Sequence, residues 1–135
     1  MAFDLAESFI ERLELELGAR LPDSFRQSMM GENGGGLEAA DDVWFQYPIT
    51  DTSDRKRLSR TSNHIWKETL RYRDWNAFPK NGLAIADNGS GDCLLFLLQG
   101  DVYMPQVYMW LHETGELLEL VGDFSELKPG YGQCT

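Results

Sequence analysis

The chain opens with two segments whose apolar residues recur at three- and four-residue steps, the spacing of one helix face. The first runs from Asp4 to Leu17, and Gly18 follows where a left-handed residue commonly ends a helix. The second starts near Pro22, because proline suits the first turn of a helix, and it stops in the glycine-rich stretch 31–36. The pattern predicts two short helices followed by a loop.

The middle of the chain predicts a strand and then a longer helix. Residues 43–47 are aromatic and β-branched, which favours a strand. From about Ser53 to Trp75 the apolar positions return to helical spacing, with Leu58 and Leu70 on the inner face. This segment therefore predicts a third, central helix.

After Pro79 the pattern changes to strands. Two apolar runs flank the glycine-rich turn 88–92, and a second pair flanks a turn at 112–115, so two hairpins are predicted. The run 93–98 is apolar at every position, which indicates a central strand covered on both faces. A capping-box sequence at Asp123 predicts a short closing helix.

Helices and hairpins are thus segregated along the chain, which predicts an α+β fold. We expect an antiparallel-rich twisted sheet with the N-terminal helices and one central helix packed against it. The length of 135 residues and a hydrophobic content of 42% are enough for one core, so residues 1–135 are interpreted as a single domain.

Composition narrows the classes of partner. The chain carries 22 acidic and 12 basic residues, a net charge of -10, and both nucleic acid and anionic membranes repel such a polyanion. No apolar run approaches the roughly 20 residues that cross a bilayer, and the first segment lacks the features of a signal peptide. We therefore expect a cytoplasmic acidic protein that binds neither nucleic acid nor membrane.

The charge is unevenly distributed. Residues 55–80 hold 8 of the 12 basic residues and two acids, a local charge of +6, which leaves -16 on the remainder. A basic helix with tryptophans could meet a phosphate backbone, but the overall charge favours a solvated helix face with the aromatic rings in the core. The same helix could meet the acidic surface of a second copy, so a monomer and a weak homodimer both stay open.

Cysteines and metal-binding patterns add little. Cys93 and Cys134 form no C-x-x-C pair, and two free thiols are favoured over a bridge between them. His112-Glu113 lacks the second histidine of a zinc motif, and the acidic turn beginning at Asp87 lacks a glutamate at its twelfth position. We expect no metal and no cofactor.

No complete catalytic constellation is present, so the chain is not expected to be an enzyme. A small hydrolase that uses His112, Glu113 and Asp87 remains a lesser alternative. The remaining functional signal is an acidic stretch that leads into aromatic residues, a composition suited to docking on a basic protein. The candidate partner-binding residues are Glu38, Asp41, Asp42, Trp44, Asp87 and Asp92.

Several motifs together resemble one family. The pattern E-x-x-L-G-x-x-L-P-x-x-F at residues 14–25, followed by N-G-G at 33–35, is similar to the opening signature of the SUKH superfamily, the family of the fungal cell-wall-assembly regulator. The hairpin 83–96 and the segment 107–127 resemble that family's later strands and closing helix. Residues 37–77 match no part of the family pattern.

The resemblance implies an α+β domain without enzymatic activity and without catalytic or metal residues. Bacterial members are commonly immunity proteins that bind and neutralise a toxin, and fungal members regulate cell-wall synthesis through protein contacts. We therefore expect an immunity protein for a cognate toxin domain, often a nuclease. The alternative is a regulatory scaffold or adaptor, and a toxin gene beside this one would favour immunity.

Overall fold

A computed structural model describes residues 2–75 and 77–129. The helices are α1 (Glu7–Leu17), α2 (Asp23–Gly31), α3 (Arg55–Arg60) and α4 (Ile65–Tyr72). The strands are β1 (Gly35–Ala39), β2 (Asp42–Gln46), β3 (Gly82–Asp87), β4 (Cys93–Gln99), β5 (Val102–Tyr103), β6 (Val107–Trp110), β7 (Leu117–Val121) and β8 (Lys128–Pro129). A 3₁₀ turn at Phe124–Glu126 lies between β7 and β8.

The strands form one curled antiparallel sheet, a half-barrel, in the order β7-β6-β4-β3-β2-β1-β8. Strand β5 pairs with β4 beside this path. The segregated helices and the antiparallel sheet confirm the predicted α+β fold. Both predicted hairpins are present, as β3–β4 and β6–β7, and Asp123 caps the closing 3₁₀ turn by accepting a hydrogen bond from Ser125 N.

Strand β4 is covered on both faces, as its continuous apolar run predicts. Cys93, Leu94, Leu95 and Phe96 are all fully buried. Because side chains alternate along a strand, Cys93 and Phe96 point to opposite faces of the sheet. The molecule therefore has aromatic packing on two sides of one strand.

Each face carries its own aromatic cluster. On one face Trp110 meets Tyr72 and Phe78 edge-on, with ring centroids 5.9 and 5.2 Å apart. On the other, Phe25 of α2 makes edge contacts with Phe96 and Phe124 at 5.1 and 5.0 Å. Helix α4 and the segment after it cover the first face, and α2 with the 3₁₀ turn covers the second.

A buried ion pair joins α1 to α2. The Arg26 side chain is 6% exposed, and its Nε and Nη2 donate to the two carboxylate oxygens of Glu14 at 3.0 and 3.2 Å. Its Nη1 donates to Glu7 at 3.0 Å, and Leu21 N donates to Glu14 at 2.8 Å. The fold thus uses the glutamate and the leucine of the 14–25 motif to fix the angle between two helices.

The predicted start of α1 at Asp4 is wrong by three residues. The Asp4 carboxylate accepts a hydrogen bond from Arg57 Nη2 at 2.9 Å instead of capping the helix, which begins at Glu7. The second helix begins at Asp23, directly after Pro22, and ends at Gly31. Gly18 ends α1 in the left-handed region, at φ 68°, as predicted.

The single central helix predicted from Ser53 to Trp75 is wrong, because the segment forms the two helices α3 and α4. Thr61 follows the end of α3, and its hydroxyl donates to Arg57 O at 3.0 Å and accepts from Asp51 N at 3.1 Å. His64 Nδ1 caps α4 by accepting from Lys67 N at 3.3 Å. Since α3 buries none of its residues, Leu58 is 49% exposed rather than in the core. Leu70 of α4 is also exposed.

The glycine-rich segment does not remain a loop, because Gly35–Ala39 pairs along its length with β2. Asn33 begins this turn into the sheet: its side-chain amide donates to Ile49 O and accepts from Ile49 N, both at 2.8 Å. Gly34 and Gly35 follow with φ values of 114° and 94°, where side chains are strained. The N-G-G motif is thus explained by structure alone.

No helix among the described residues is both long enough and apolar enough to cross a bilayer.

Candidate protein-binding surface

Three hairpin turns lie together at the same end of the strands of the sheet. They are Ala40–Asp41 between β1 and β2, residues 88–92 between β3 and β4, and residues 111–116 between β6 and β7. Because the strands between them are neighbours and antiparallel, these three turns point the same way. We call the carboxylates at these turns the acidic rim: Asp41, Asp42, Asp87, Asp92, Glu113 and Glu116.

The side chain of Asn88 ties the first turn to the second. Its amide nitrogen donates to Asp42 Oδ2 at 3.0 Å and to Asp92 Oδ2 at 3.3 Å. One donor group therefore holds two carboxylates of the rim close together. Both aspartates are among the contact residues predicted from the sequence, whereas the asparagine that joins them is not.

Asp92 also ties the second turn to the third. Its Oδ1 accepts from His112 N at 3.1 Å and lies 2.7 Å from His112 Nδ1. Partial burial works toward a higher pKa for Asp92, but the hydrogen bonds from His112 and Asn88 outweigh it and lower that pKa below its ordinary value. Asp92 is therefore held as a carboxylate.

Gly91 allows this contact to form. It has φ +108°, and a Cβ built there would lie 3.0 Å from the His112 ring. A larger residue would be strained and would push the imidazole away. The glycine pattern of the turn thus has a specific use, which is to seat His112 against Asp92.

Asp87 is half-buried and fixed from below by a tyrosine pair. Its Oδ2 accepts from the Tyr47 hydroxyl at 2.5 Å, and that hydroxyl lies 3.0 Å from the Tyr72 hydroxyl. Burial, together with the bond to Asp87, raises the pKa of Tyr47, so the phenol keeps its proton and serves as the donor. The other carboxylate oxygen of Asp87 accepts a hydrogen bond from Gly89 N at 3.0 Å.

The tip of the first hairpin adopts an unusual backbone. Ala40 and Asp41 have φ values of 53° and 59°, the left-handed pair that a two-residue hairpin turn requires. Asparagine and glycine are the usual residues in such a turn, and alanine is disfavoured there. Ala40 is therefore a point of local strain beside the exposed Asp41.

The six candidate contact residues fall into three groups. Glu38, Asp41 and Asp42 are exposed at or near the first turn, and Asp87 and Asp92 are half-buried in the second. The prediction that Trp44 contacts a partner needs correction, because its side chain is 1% exposed and its Nε1 donates to Ala39 O at 2.9 Å. Trp44 therefore belongs to the core.

Two other aromatic residues are exposed near the rim. Phe45, which pairs with Asp87 across β2 and β3, is 54% exposed. Trp75 is 51% exposed and packs edge-on against Trp110 and His112, with ring centroids 5.9 and 6.2 Å away. Residues two apart in a strand share a face, but Tyr47 lies just past the end of β2 and, unlike Phe45, is buried.

The basic segment is partly neutralised. Arg57 contacts the carboxylates of Asp4, Asp51 and Asp54, and its guanidinium lies 4.6 Å from the centre of the Phe3 ring. Arg55, Lys56, Arg60 and Lys67 are exposed, in agreement with a solvated helix face. The expectation that the aromatic residues of this segment lie in the core is right for Tyr72 and wrong for the exposed Trp75.

The chemistry of the rim is that of an anionic surface. Within residues 2–75 and 77–129, no three metal-ligating side chains come together at a potential metal site. The hydrolase alternative requires His112 to act with Asp87 and Glu113. In the structure His112 contacts Asp92 instead, and Glu113 is exposed. Cys93 is a free thiol whose pKa is raised by complete burial, and Cys134 lies outside the described residues.

Comparison with known proteins agrees with the motifs at both ends of the fold. No curated protein matches the chain. The family model described as the SMI1 / KNR4 family (SUKH-1) matches residues 5–128, which include α1, the N-G-G turn, the acidic rim and the closing 3₁₀ turn. The chain therefore belongs to the SMI1/KNR4 family, SUKH-1.

Proposed function

We propose that this protein is a non-enzymatic immunity protein that binds a cognate toxin domain and neutralises it by contact through the acidic rim. Family membership supports a role of this kind, since the resemblance implies proteins that act by protein contact. One structural observation carries the proposal: three hairpin turns bring six carboxylates together at one end of the strands.

Electrostatic attraction would raise the rate at which this surface associates with its partner and would select a basic partner. The chain has a net charge of -10, and the part outside residues 55–80 carries -16. Such a field accelerates encounter with a basic surface and repels nucleic acid. If the toxin is a nuclease, the rim carboxylates would occupy the positions where its basic groove holds phosphates.

The rim is also held in shape before any partner arrives. The bonds from Asn88 to Asp42 and from His112 to Asp92 fix side chains that would otherwise lose freedom on binding. A preformed surface avoids part of that entropy cost. Phe45 and Trp75 offer exposed rings beside it, and aromatic side chains often dominate binding energy.

The first test is genetic and functional. The C-terminal domain of the protein encoded immediately upstream is expressed in cells with and without this chain. We expect the domain alone to stop growth and co-expression to restore it, with a complex recovered from the restored cells. Continued growth arrest despite folded protein, with no complex, would contradict the immunity proposal.

The second test addresses the rim. Asp41→Asn with Glu113→Gln removes two rim charges, and Glu11→Gln with Asp101→Asn removes two exposed charges elsewhere as the matched control. At low salt we expect the rim variant to associate about tenfold more slowly and the control less than about twofold more slowly. Equal effects, or an association rate indifferent to ionic strength, would remove the rim from the proposal.

A further inference from the structure

An open groove of about 590 Å³ lies between the β1–β2 hairpin and the C-terminal end of β7. Its apolar lining includes Leu120 and Val121 of β7 and Val43 of β2. Its charged lining consists of four carboxylates and one amine: Glu38, Asp41, Asp42, Glu126 and Lys128. The groove is thus apolar along one side and carries a net charge of -3.

Strand β7 borders this groove and ends the sheet. Its only partner among the described residues is β6, since it stands first in the order of strands. The hairpin closes with Gly115 N donating to Leu111 O at 2.7 Å and Leu111 N donating to Glu116 O at 2.9 Å. Hydrogen bonding alternates along an antiparallel pair, so Leu118 bonds to β6, while the N–H and C=O of Leu117 and Glu119 point outward.

A bulge at Leu120 disturbs the end of this edge, but residues 117–119 lack the side chains that usually protect a free strand. Its sequence, LLELV, contains no proline and no lysine, and Leu118 is 40% exposed. Glu119 carries its one charge. An unprotected apolar edge is a template for a further strand, and extended segments of partner proteins bind in this way.

We propose that β7 accepts an extended segment of a partner protein as an additional antiparallel or parallel strand, with lysine or arginine side chains of that segment facing the acidic groove. Charge selects this occupant: the groove carboxylates and Glu119 attract basic side chains. A second copy pairing through its own β7 would place two Glu119 side chains and two acidic grooves together. The inference rests on the proposed function and specifies how the toxin would be held.

Amide hydrogen exchange on the unmodified protein tests the strand directly. The probe is a synthetic peptide of alternating lysine and valine, seven residues long, and the control peptide replaces lysine with glutamate. The basic peptide should slow exchange of the Leu117 and Glu119 amides by about tenfold or more, because they gain hydrogen-bond partners. The Leu118 amide, bonded to β6 in the free protein, should change little.

A pair of variants adds a second readout. Glu119→Pro removes an outward N–H, and Glu119→Ala removes the charge but keeps that N–H. We expect the alanine variant to bind the basic peptide a few-fold more weakly and the folded proline variant to lose about tenfold or more. If circular dichroism shows that the proline variant is unfolded, the exchange pattern of the unmodified protein decides.

The outcomes separate this inference from the function it extends. Unchanged exchange at Leu117 and Glu119 with the basic peptide, or equal protection by the acidic peptide, would overturn the strand. Exchange that slows with rising protein concentration alone would assign the edge to a second copy and also overturn it. The same measurement with the upstream-encoded toxin domain gives a separate answer: binding without protection at β7 keeps the function and removes the strand.

Discussion

Two groups of carboxylates in this molecule have opposite surroundings. Glu14 lies between α1 and α2, where it accepts from Leu21 N and from two nitrogens of the nearly buried Arg26. Asp41, at the tip of the β1–β2 hairpin, is exposed and has no hydrogen bond or ion pair with any other described residue. A carboxylate whose hydrogen bonds are all made within the fold supports structure, and one left in solvent remains available to a partner.

The strongest test of this contrast removes the cation between the helices. Arg26→Met should lower the free energy of unfolding by about 3–5 kcal/mol, because Glu14 would be left partly buried without its counter-charge. Urea unfolding followed by tryptophan fluorescence measures the change.

The matched control for this variant is Arg20→Met. Arg20 bonds to Asp23 at 2.9 Å, but both side chains are more than half exposed, so we expect a loss of no more than about 1 kcal/mol. Similar losses from the two variants would mean that the buried pair is no more important than a surface pair.

Between these extremes stands Asp92, a rim carboxylate with internal partners. Asp92→Ala should lower the free energy of unfolding by about 1–3 kcal/mol, since it leaves the donors of His112 and Asn88 unpaired. Thermal unfolding of this variant beside Asp41→Asn measures the difference. A smaller loss in Asp92→Ala than in Asp41→Asn would show that the ties between turns do not stabilise the rim.

The contribution of the Asp92 hydrogen bonds to stability should also depend on pH. The pKa of Asp92 in the folded protein lies below its unfolded value of about 4, so its contribution is fully present above that pH. The contribution is lost as the pH falls from about 4 through the lower folded pKa. We expect the stability of Asp92→Ala to decline less steeply over this range than that of the unmodified protein, as measured by urea unfolding at each pH.

A smaller effect is expected at the strained tip. Ala40→Gly should raise the free energy of unfolding by about 0.5–1 kcal/mol, because glycine adopts a φ of 53° without a clashing Cβ. Ala39→Gly, in the strand beside it, should lower stability by a similar amount. Equal signs for the two variants would contradict the strain at Ala40.

The smallest effect on stability belongs to the exposed carboxylates themselves. Asp41→Asn should change the free energy of unfolding by no more than about 0.5 kcal/mol, since the side chain is exposed and asparagine tolerates the left-handed backbone. A loss above 1 kcal/mol would make Asp41 a structural residue and remove the contrast with Glu14.

Local patterns predicted the outer elements of the fold well. The apolar stripes of α1 and α2 and the two hairpins were found because each is defined by residues close in sequence. The division of α3 from α4 was missed because α3 buries none of its residues and is held by polar contacts that are distant in sequence, from Arg57 to Asp4 and from Asp51 N to the Thr61 hydroxyl. Strand β1 was missed because its glycines have low strand propensity, and only pairing with β2 makes them extended.

The candidate site was predictable in charge but not in geometry. Acidic turns are visible in the sequence, whereas the bonds that join them through Asn88 and His112 depend on which strands are neighbours. Trp44 and Phe45 differ in burial because the sheet curves around one of its faces, and no period-two pattern says which face that is. The available signal for the contact at Asp92 was a histidine in one predicted hairpin turn and a glycine followed by an aspartate in the other.

The position of Asn88 also bears on the chemical stability of this surface. Asn88 precedes Gly89, a pair in which the glycine nitrogen can attack the side-chain carbonyl, and in this fold Gly89 N is held by Asp87 and Asn88 Oδ1 by Ser90 N. Deamidation would replace the donor between Asp42 and Asp92 with a further carboxylate, and the three would repel one another. The centre of the acidic rim is therefore held by the Asn88 amide, and its hydrolysis would loosen two turns at once.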